Sequence, residues 1–217
     1  MMNEKPSVSK ILAQRLALPA HSSMVLKRRV RRLAELIAGL LPEEELKGLD
    51  LGCGSGEVSR HLMDLRPDLK VSGSDLIVRP DAVIDVVGSN ADNLPFPDGS
   101  FDFIFLIDVL HHTLDPAAIL REASRASGRF VIIKDHYCQN QFDHFVLSFM
   151  DWVGNRAHDI PLPNNYLSRN QWQKLVADCG LRLRHELTSL ELYSKPISWF
   201  FDRDLHFIAL FEKVSAS

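Results

Sequence analysis

The sequence predicts an α/β protein with a doubly wound, mostly parallel, seven-stranded sheet and an antiparallel C-terminal strand pair. Three observations carry this. Five short apolar runs alternate with helical patterns between residues 46 and 134, which is the pattern of βαβ units. The fourth run, Phe101–Ile107, is apolar at nearly every position, as a central strand of a parallel sheet must be. Beyond Gly180 two further runs, about Arg182–Tyr193 and Leu205–Lys213, occur with no helix of usable length between them, so they pair antiparallel.

Taken in order, residues 1–23 show no regular pattern and contain the breakers Pro6 and Pro19. Val30, Leu33, Leu36, Ile37, Leu40 and Leu41 fall at helical spacing until Pro42 stops the helix. Its other face carries Lys27, Arg28, Arg29, Arg31 and Arg32 and is expected to be solvated. Leu46–Leu51 reads as a strand, Gly56–Leu65 as a helix closed by Pro67, Leu69–Ser74 as a second strand and Ala82–Val87 as a weaker third. Asp115 and Pro116 open a helix as N-cap and first-turn proline, and Gly128 is the expected C′ glycine. Phe130–Lys134 is the fifth strand. Phe142–Val153 reads as a helix, 154–167 as a loop, and Ser168 with Gln171 as a capping box for a helix closing at Gly180. The expected organisation is one domain over 1–217, with 1–45 as a helical extension or lid and 136–167 as an insertion capping the site.

Composition narrows the function. The chain has 217 residues, 46% apolar and 24% charged, which excludes disordered, collagenous and repeat architectures. A net charge of -3 supplies no general field for collecting nucleic-acid phosphates. Cys53, Cys138 and Cys179 form no CxxC pair, which argues against a zinc knuckle or dithiol site and for a reducing compartment. The opening MMNEKPSVSK has no apolar signal core, and the longest aliphatic-aromatic run has five residues, against about 20 for a membrane span. These features lead to the expectation of a cytoplasmic protein with no membrane partner; they leave oligomeric state open.

The chemistry concentrates first at Asp50-Leu51-Gly52-Cys53-Gly54-Ser55-Gly56, where the first strand hands over to the first helix. Glycines there allow a tight turn and close approach of a ligand, and the helix N-terminus offers free N–H groups to an anionic or carboxylate group. The dinucleotide fingerprint is not met, because Glu57 or Ser59 stands where its last glycine is needed, and no Walker lysine comes after it.

Asp50-x-Gly52-x-Gly54-x-Gly56 resembles motif I of class I S-adenosylmethionine-dependent methyltransferases. The segment Asn93–Asp102, NLPFPDGSFD, resembles the approach to that family's fourth strand, and Asp108–His112 with Asp115-Pro116 resembles the segment after that strand. The resemblance runs over roughly residues 25–135 and implies a Rossmann-like fold and S-adenosyl-L-methionine as cofactor. It implies that Gly52, Cys53, Gly54 and Gly56 face the methionine end, with Asp50 holding the amino group directly or through water. Asp75 would accept from the ribose hydroxyls, with Leu76 beside it, and Asn90 and Ala91 would lie at the adenine edge. Asp75 stands 19 residues past Gly56, close to the ~20 of related nucleotide folds. Two departures stand out: the family often has Asp where this chain has Asn90, and only residues 76–82 separate Asp75 from the third strand, too few for the usual helix.

The acceptor side is less specific. Asp108 follows the fourth strand and Asp135-His136 the fifth, so they are expected to converge at one edge of the sheet, with His111 and His112 close by. Acid/base chemistry is one reading, with His112 or His136 as base and Asp108 and Asp135 beside it. A hard-metal site built by Asp108, Asp135 and a third ligand is another, although His136 stands where the metal-dependent branch has an amide; the acid/base reading assigns no metal. Asp108 at the cofactor edge or as a helix cap, and His111 as a packed core residue, are the structural alternatives. The Asn/Asp-Pro-Pro-aromatic signature of amino methyltransferases and a Pro-Cys nucleophile are both missing. In the cap, Tyr137, His144, Trp152, Asn155, His158 and Tyr166 are the candidate acceptor contacts, while Phe145, Val146, Phe149, Met150 and Val153 are expected to pack on the core. The resulting expectation is methyl transfer to a small-molecule acceptor by in-line displacement. The alternatives are a non-catalytic cofactor-binding scaffold, or an RNA or protein methyltransferase docking through Lys27–Arg32.

Overall fold

The computed structural model describes residues 23–155, 165–192 and 205–214. In chain order these form α1 (Ser23–Leu40), β1 (Leu46–Leu51), α2 (Glu57–Leu65), β2 (Leu69–Asp75), β3 (Val86–Gly88), β4 (Phe101–Ile107), a single turn of 3₁₀-helix at Leu110–His112, α3 (Pro116–Ala126), β5 (Ser127–His136), α4 (Gln141–Asn155), α5 (Arg169–Asp178), β6 (Leu181–Leu187) and β7 (His206–Lys213).

The strands make one sheet in the order β3-β2-β1-β4-β5-β7-β6. All neighbours from β3 to β5 run parallel, and β7 is antiparallel to both β5 and β6. The order reverses between β1 and β4, so a crevice opens at the carboxyl ends of these two strands. Period-2 alternation splits the core into two layers. Phe103 and Phe105 face Leu33, Ile37 and Leu62 on one side, while Ile104 and Leu106 face Leu120, Ala123 and Trp172 on the other. The β1–β4 contact is close: a Cβ on Gly48 would lie 2.3 Å from Cζ of Phe103.

Local signals account for the helix ends. Asp115 accepts from the Ala118 N–H, with Pro116 in the first turn of α3. Ser168 and Gln171 form the reciprocal capping box of α5, and Gly180 takes the left-handed conformation after it.

Four expectations are corrected. The third strand is Val86–Gly88 rather than Ala82–Val87, because the run is half exposed and pairs only with β2. Gly128 is not a C′ glycine: α3 ends at Ala126 with an extended Ser127, and Gly128 lies inside β5, where a Cβ would sit 3.4 Å from the Phe101 carbonyl. The basic face of α1 is not simply solvated, since Arg29 reaches Asp108 and Arg32 donates to the Leu190 carbonyl at 3.0 Å. The apolar face of α4 does not pack as expected: Leu147 is buried, but Phe145 is 69% and Phe149 44% exposed. No helix stands between Asp75 and β3, as the short interval requires. Residues 1–22 of the expected extension or lid at 1–45, the middle of the cap at 156–164 including His158, and Tyr193 lie outside the described residues, as do the side chains of Trp152, Val153 and Asn155. Among the described residues no helix is long and apolar enough to cross a membrane.

Candidate active site

The crevice has two walls of different construction. The first is backbone. Between β1 and α2 the chain turns through Gly52, Gly54 and Gly56 with φ of 79°, 57° and 78°. At Gly56 a Cβ would meet Cγ1 of Ile84 at 2.3 Å, so packing and conformation both demand glycine. At Gly54 the nearest atom to a Cβ is the Arg79 guanidinium carbon at 3.8 Å, so only the backbone conformation requires glycine there. Gly56 caps α2 without any side-chain cap, leaving the first-turn N–H groups for a ligand.

Two carboxylates flank this cradle. Asp75, at the end of β2, accepts from the Gly54 N–H at 2.8 Å and the Ile77 N–H at 3.1 Å, keeping further acceptor capacity on each oxygen. Asp50 is 3% exposed and accepts from the Ser59 hydroxyl at 2.7 Å. Burial pushes its pKa up to about 7, against the pull of that hydrogen bond and with the help of the Asp75 charge. Cys53 packs over Gly73, and burial beside the two aspartates pushes its thiol up to about 12, which keeps it protonated. Leu76, Ile77 and Val78 form an exposed apolar lip beyond Asp75. Asn90 is exposed and its carbonyl accepts from the Asn93 N–H at 3.1 Å, while Ala91 packs partly against the core. An acid at each strand end, an open glycine cradle and an apolar lip fit a nucleoside with a charged amino-acid tail, the shape of S-adenosylmethionine.

The second wall is side chain. Asp108, at the end of β4, holds φ of 54°, unusual for a residue with a Cβ. Its Oδ1 accepts from Lys134 Nζ at 2.5 Å, and its Oδ2 meets Arg29. Burial would raise the Asp108 pKa, but these two cations hold it well below the ordinary carboxylate value. Lys134 is 1% exposed and its ammonium also lies 3.2 Å from Nδ1 of His206. Next to it on β5, Asp135 accepts from three directions: His111 Nδ1 at 2.7 Å, the His136 N–H at 2.8 Å and His136 Nδ1 at 3.2 Å. Burial pulls the His111 pKa down, but Asp135 outweighs it and holds it up at about 9. His136 is lowered by burial and by the Lys134 charge, and His112 by burial and by His111. Nε2 of His136 lies 3.8 Å from Asp108. Tyr166 stacks over His111, with ring centroids 5.9 Å apart, and donates to Asp151 on α4.

The expected residues therefore converge, with distinctions. Asp108, Asp135 and His136 belong to one buried network, and His112 borders it. Asp108 and Asp135 do not share a ligand point: one is neutralised by Lys134 and Arg29, the other is paired with His111 and accepts a hydrogen bond from His136. Val109, the neighbour of Asp108, sits against Gly52, where a Cβ would be 2.5 Å from its Cγ2; the network thus borders the cradle. Sequence reasoning missed Lys134, Arg29, Asp151 and His206. A lysine inside the apolar run FVIIKDH was the available signal.

This strand order, with a glycine cradle between acids on β1 and β2, defines a nucleotide-cofactor enzyme of the methyltransferase class. A profile of the family described as "Methyltransferase domain" matches residues 25–186, and the chain belongs to that family. It is an S-adenosylmethionine-dependent methyltransferase. The chain is 27% identical over 192 residues to a ubiquinone biosynthesis O-methyltransferase of Parvibaculum lavamentivorans, covering 79% of this chain and 73% of that protein. It is 32% identical over 117 residues to the 27-O-demethylrifamycin SV methyltransferase of Amycolatopsis mediterranei, covering 48% of this chain and 43% of that one. Among solved structures it superposes with TM-score 0.69 and 17% identity on a complex of the Haloferax volcanii Trm112 methyltransferase activator with a methyltransferase, covering 97% of this chain and 99% of that one.

Proposed function

We propose that this chain transfers a methyl group from S-adenosylmethionine to a hydroxyl oxygen of a small, partly apolar acceptor held over the carboxyl ends of β4 and β5. The observation that carries the reading is the imidazole of His136, 6% exposed, with Nδ1 held by Asp135 and Nε2 toward Asp108 beside the glycine cradle. On this reading Gly52, Gly54 and Gly56 cradle the methionine end of the cofactor, and Asp50 takes its amino group. Asp75 takes the ribose hydroxyls, and Leu76, Asn90 and Ala91 border the adenine. When bound, the cofactor supplies an electrophilic methyl carbon on a sulfonium. As the acceptor's O–C bond forms and the C–S bond breaks, Nε2 of His136 takes the hydroxyl proton, and Asp135 stabilises the resulting imidazolium. Asp108 with Lys134 and Arg29 fixes the edge against which the acceptor is aligned, and burial keeps water from competing. The names of two relatives, both of which specify O-methylation or a 27-O-demethyl substrate, support an oxygen acceptor.

Docking of RNA through α1 is the weaker reading, because Arg29 and Arg32 of its basic strip are engaged within the fold. The test is titration calorimetry with S-adenosylhomocysteine, then transfer of labelled methyl from the cofactor to parallel panels of phenols and catechols, amines, and total RNA. Cofactor binding with label on the hydroxyl panel is expected. Label confined to amines or RNA, or no cofactor binding by folded protein, overturns it.

A further inference from the structure

Adjoining the network, and sharing His111 with it, is a second cluster that the proton-transfer reading does not use. One ligand atom from each of His111, His112 and Asp151 lies within 4.8 Å of the other two. His111 is 2% and Asp151 9% exposed. The polar atoms here are left in an unusual state. Nε2 of His111 and Nδ1 of His112 are both buried without a hydrogen-bond partner among the described residues. Nε2 of His111 lies 3.6 Å from Oδ2 of Asp151, too far for a hydrogen bond. Two orphaned ring nitrogens beside a buried carboxylate are costly unless something bridges them.

We propose that His111, His112 and Asp151 bind a divalent transition-metal ion, zinc or a close analogue. With bonds of about 2.0–2.2 Å to nitrogen and oxygen, neighbouring ligand atoms in a tetrahedral site stand roughly 3–3.6 Å apart; the 3.6 Å between His111 and Asp151 falls at the edge of that range, and the three atoms within 4.8 Å need only a small closure around an ion. The donor set of two imidazoles and one carboxylate leaves a fourth position for water or an oxygen ligand, and it selects borderline metals over Mg²⁺. The support behind the ligands is also of the expected kind. Asp135 accepts from Nδ1 of His111 at 2.7 Å, which fixes the tautomer that presents Nε2 to the ion. Tyr166 donates to Oδ2 of Asp151 and orients the carboxylate. A second grouping, Asp108 with His111 and His136, is less suited, because Lys134 and Arg29 already occupy the Asp108 oxygens and would repel a dication. The proposal concerns metal binding alone and stands whether or not the acceptor is a hydroxyl compound.

The test is Co²⁺ titration of chelator-treated full-length protein by visible absorption, with Zn²⁺ competing. One equivalent with a d–d spectrum of nitrogen and oxygen ligation is expected. His112→Ala and Asp151→Asn should each weaken binding at least about tenfold, and Asp135→Asn by about 10–100-fold, whereas His136→Gln should leave it within about twofold. Melting of each chelated variant checks its fold, and Zn²⁺ should raise the Tm of the parent protein but not of Asp151→Asn. Absence of stoichiometric binding overturns the proposal. So does dependence on His136 rather than His112, or a thiolate-to-cobalt band that assigns the ion to a cysteine.

Discussion

Replacing Asp50 by Asn tests the most strongly perturbed group of the cofactor wall. Asp50 is 3% exposed, and its pKa rises from 3.8 in the unfolded chain to about 7 in the fold. A group with a raised folded pKa contributes stability that is full below the unfolded value and is lost as pH rises through the folded one. The window is therefore pH 4 to 7. The difference of about three units corresponds to an upper bound of about 4 kcal/mol at 1.4 kcal/mol per unit. Asn keeps an oxygen for the Ser59 hydroxyl but does not titrate. Thermal unfolding of both proteins from pH 4 to pH 8 should show Asp50→Asn gaining on the parent through that window and running level above it. For a chain of this size the gain is about 5–15 °C in Tm. Saturating S-adenosylhomocysteine at pH 8 should narrow the gap, because the amino group of the ligand gives the buried carboxylate a charged partner. A Tm difference that does not change with pH, or one that moves in the parent's favour as pH rises, refutes the burial argument. A gap untouched by the ligand refutes the assignment of Asp50 to the amino group.

The same geometry sets further expectations. Gly54→Ala should cost about 1–2 kcal/mol, the penalty of a left-handed backbone alone, yet remove most of the Tm increase given by S-adenosylhomocysteine; Gly56→Ala should be much more destabilising, since its Cβ would lie 2.3 Å from Ile84. Lys134→Met leaves the partly buried Asp108 with Arg29 as its main remaining counter-charge and should destabilise by about 3 kcal/mol in urea unfolding, and adding Asp108→Asn should restore part of the loss. His136→Gln should lower kcat by about 10²–10⁴-fold with little change in S-adenosylhomocysteine affinity; a kcat near that of the parent would remove His136 as proton acceptor.

Legibility in the sequence depends on the range of the interactions. The strand–helix alternation, the capping box at Ser168 and the glycine turn are local patterns, and each is found where its residues put it. Gly128 misled because Gly near a helix end reads as a cap, while here the chain enters β5 at once and a neighbouring backbone decides what fits. Arg29 misled for a related reason. On α1 it belongs to a run of cations, and nothing local distinguishes the one that meets Asp108, 79 residues away. The α4 phenylalanines show that helical spacing identifies an apolar stripe but not whether a partner covers it.

The two walls differ in legibility because they differ in material. The cofactor cradle is backbone bent by glycine, with acids at the ends of adjacent strands, so a stretch of about 25 residues carries nearly all of it. The acceptor wall is assembled from α1, β4, the 3₁₀ turn, β5, α4, residue 166 and β7, and its groups meet only when the sheet forms. Buried His111, His136, His206, Lys134, Asp135 and Asp151, with the partly buried Asp108 and His112, make an array that is stable only if each charge faces an opposite one, and β4 and β5 are arranged accordingly: Lys134 meets Asp108, and Asp135 meets His111. Such an array tolerates little rearrangement, since removing one member leaves a charge uncompensated in the interior. Changes of acceptor are therefore expected to arise in the cap above the network, at positions such as Phe145 and Phe149, whose exposed side chains bear none of this charge balance.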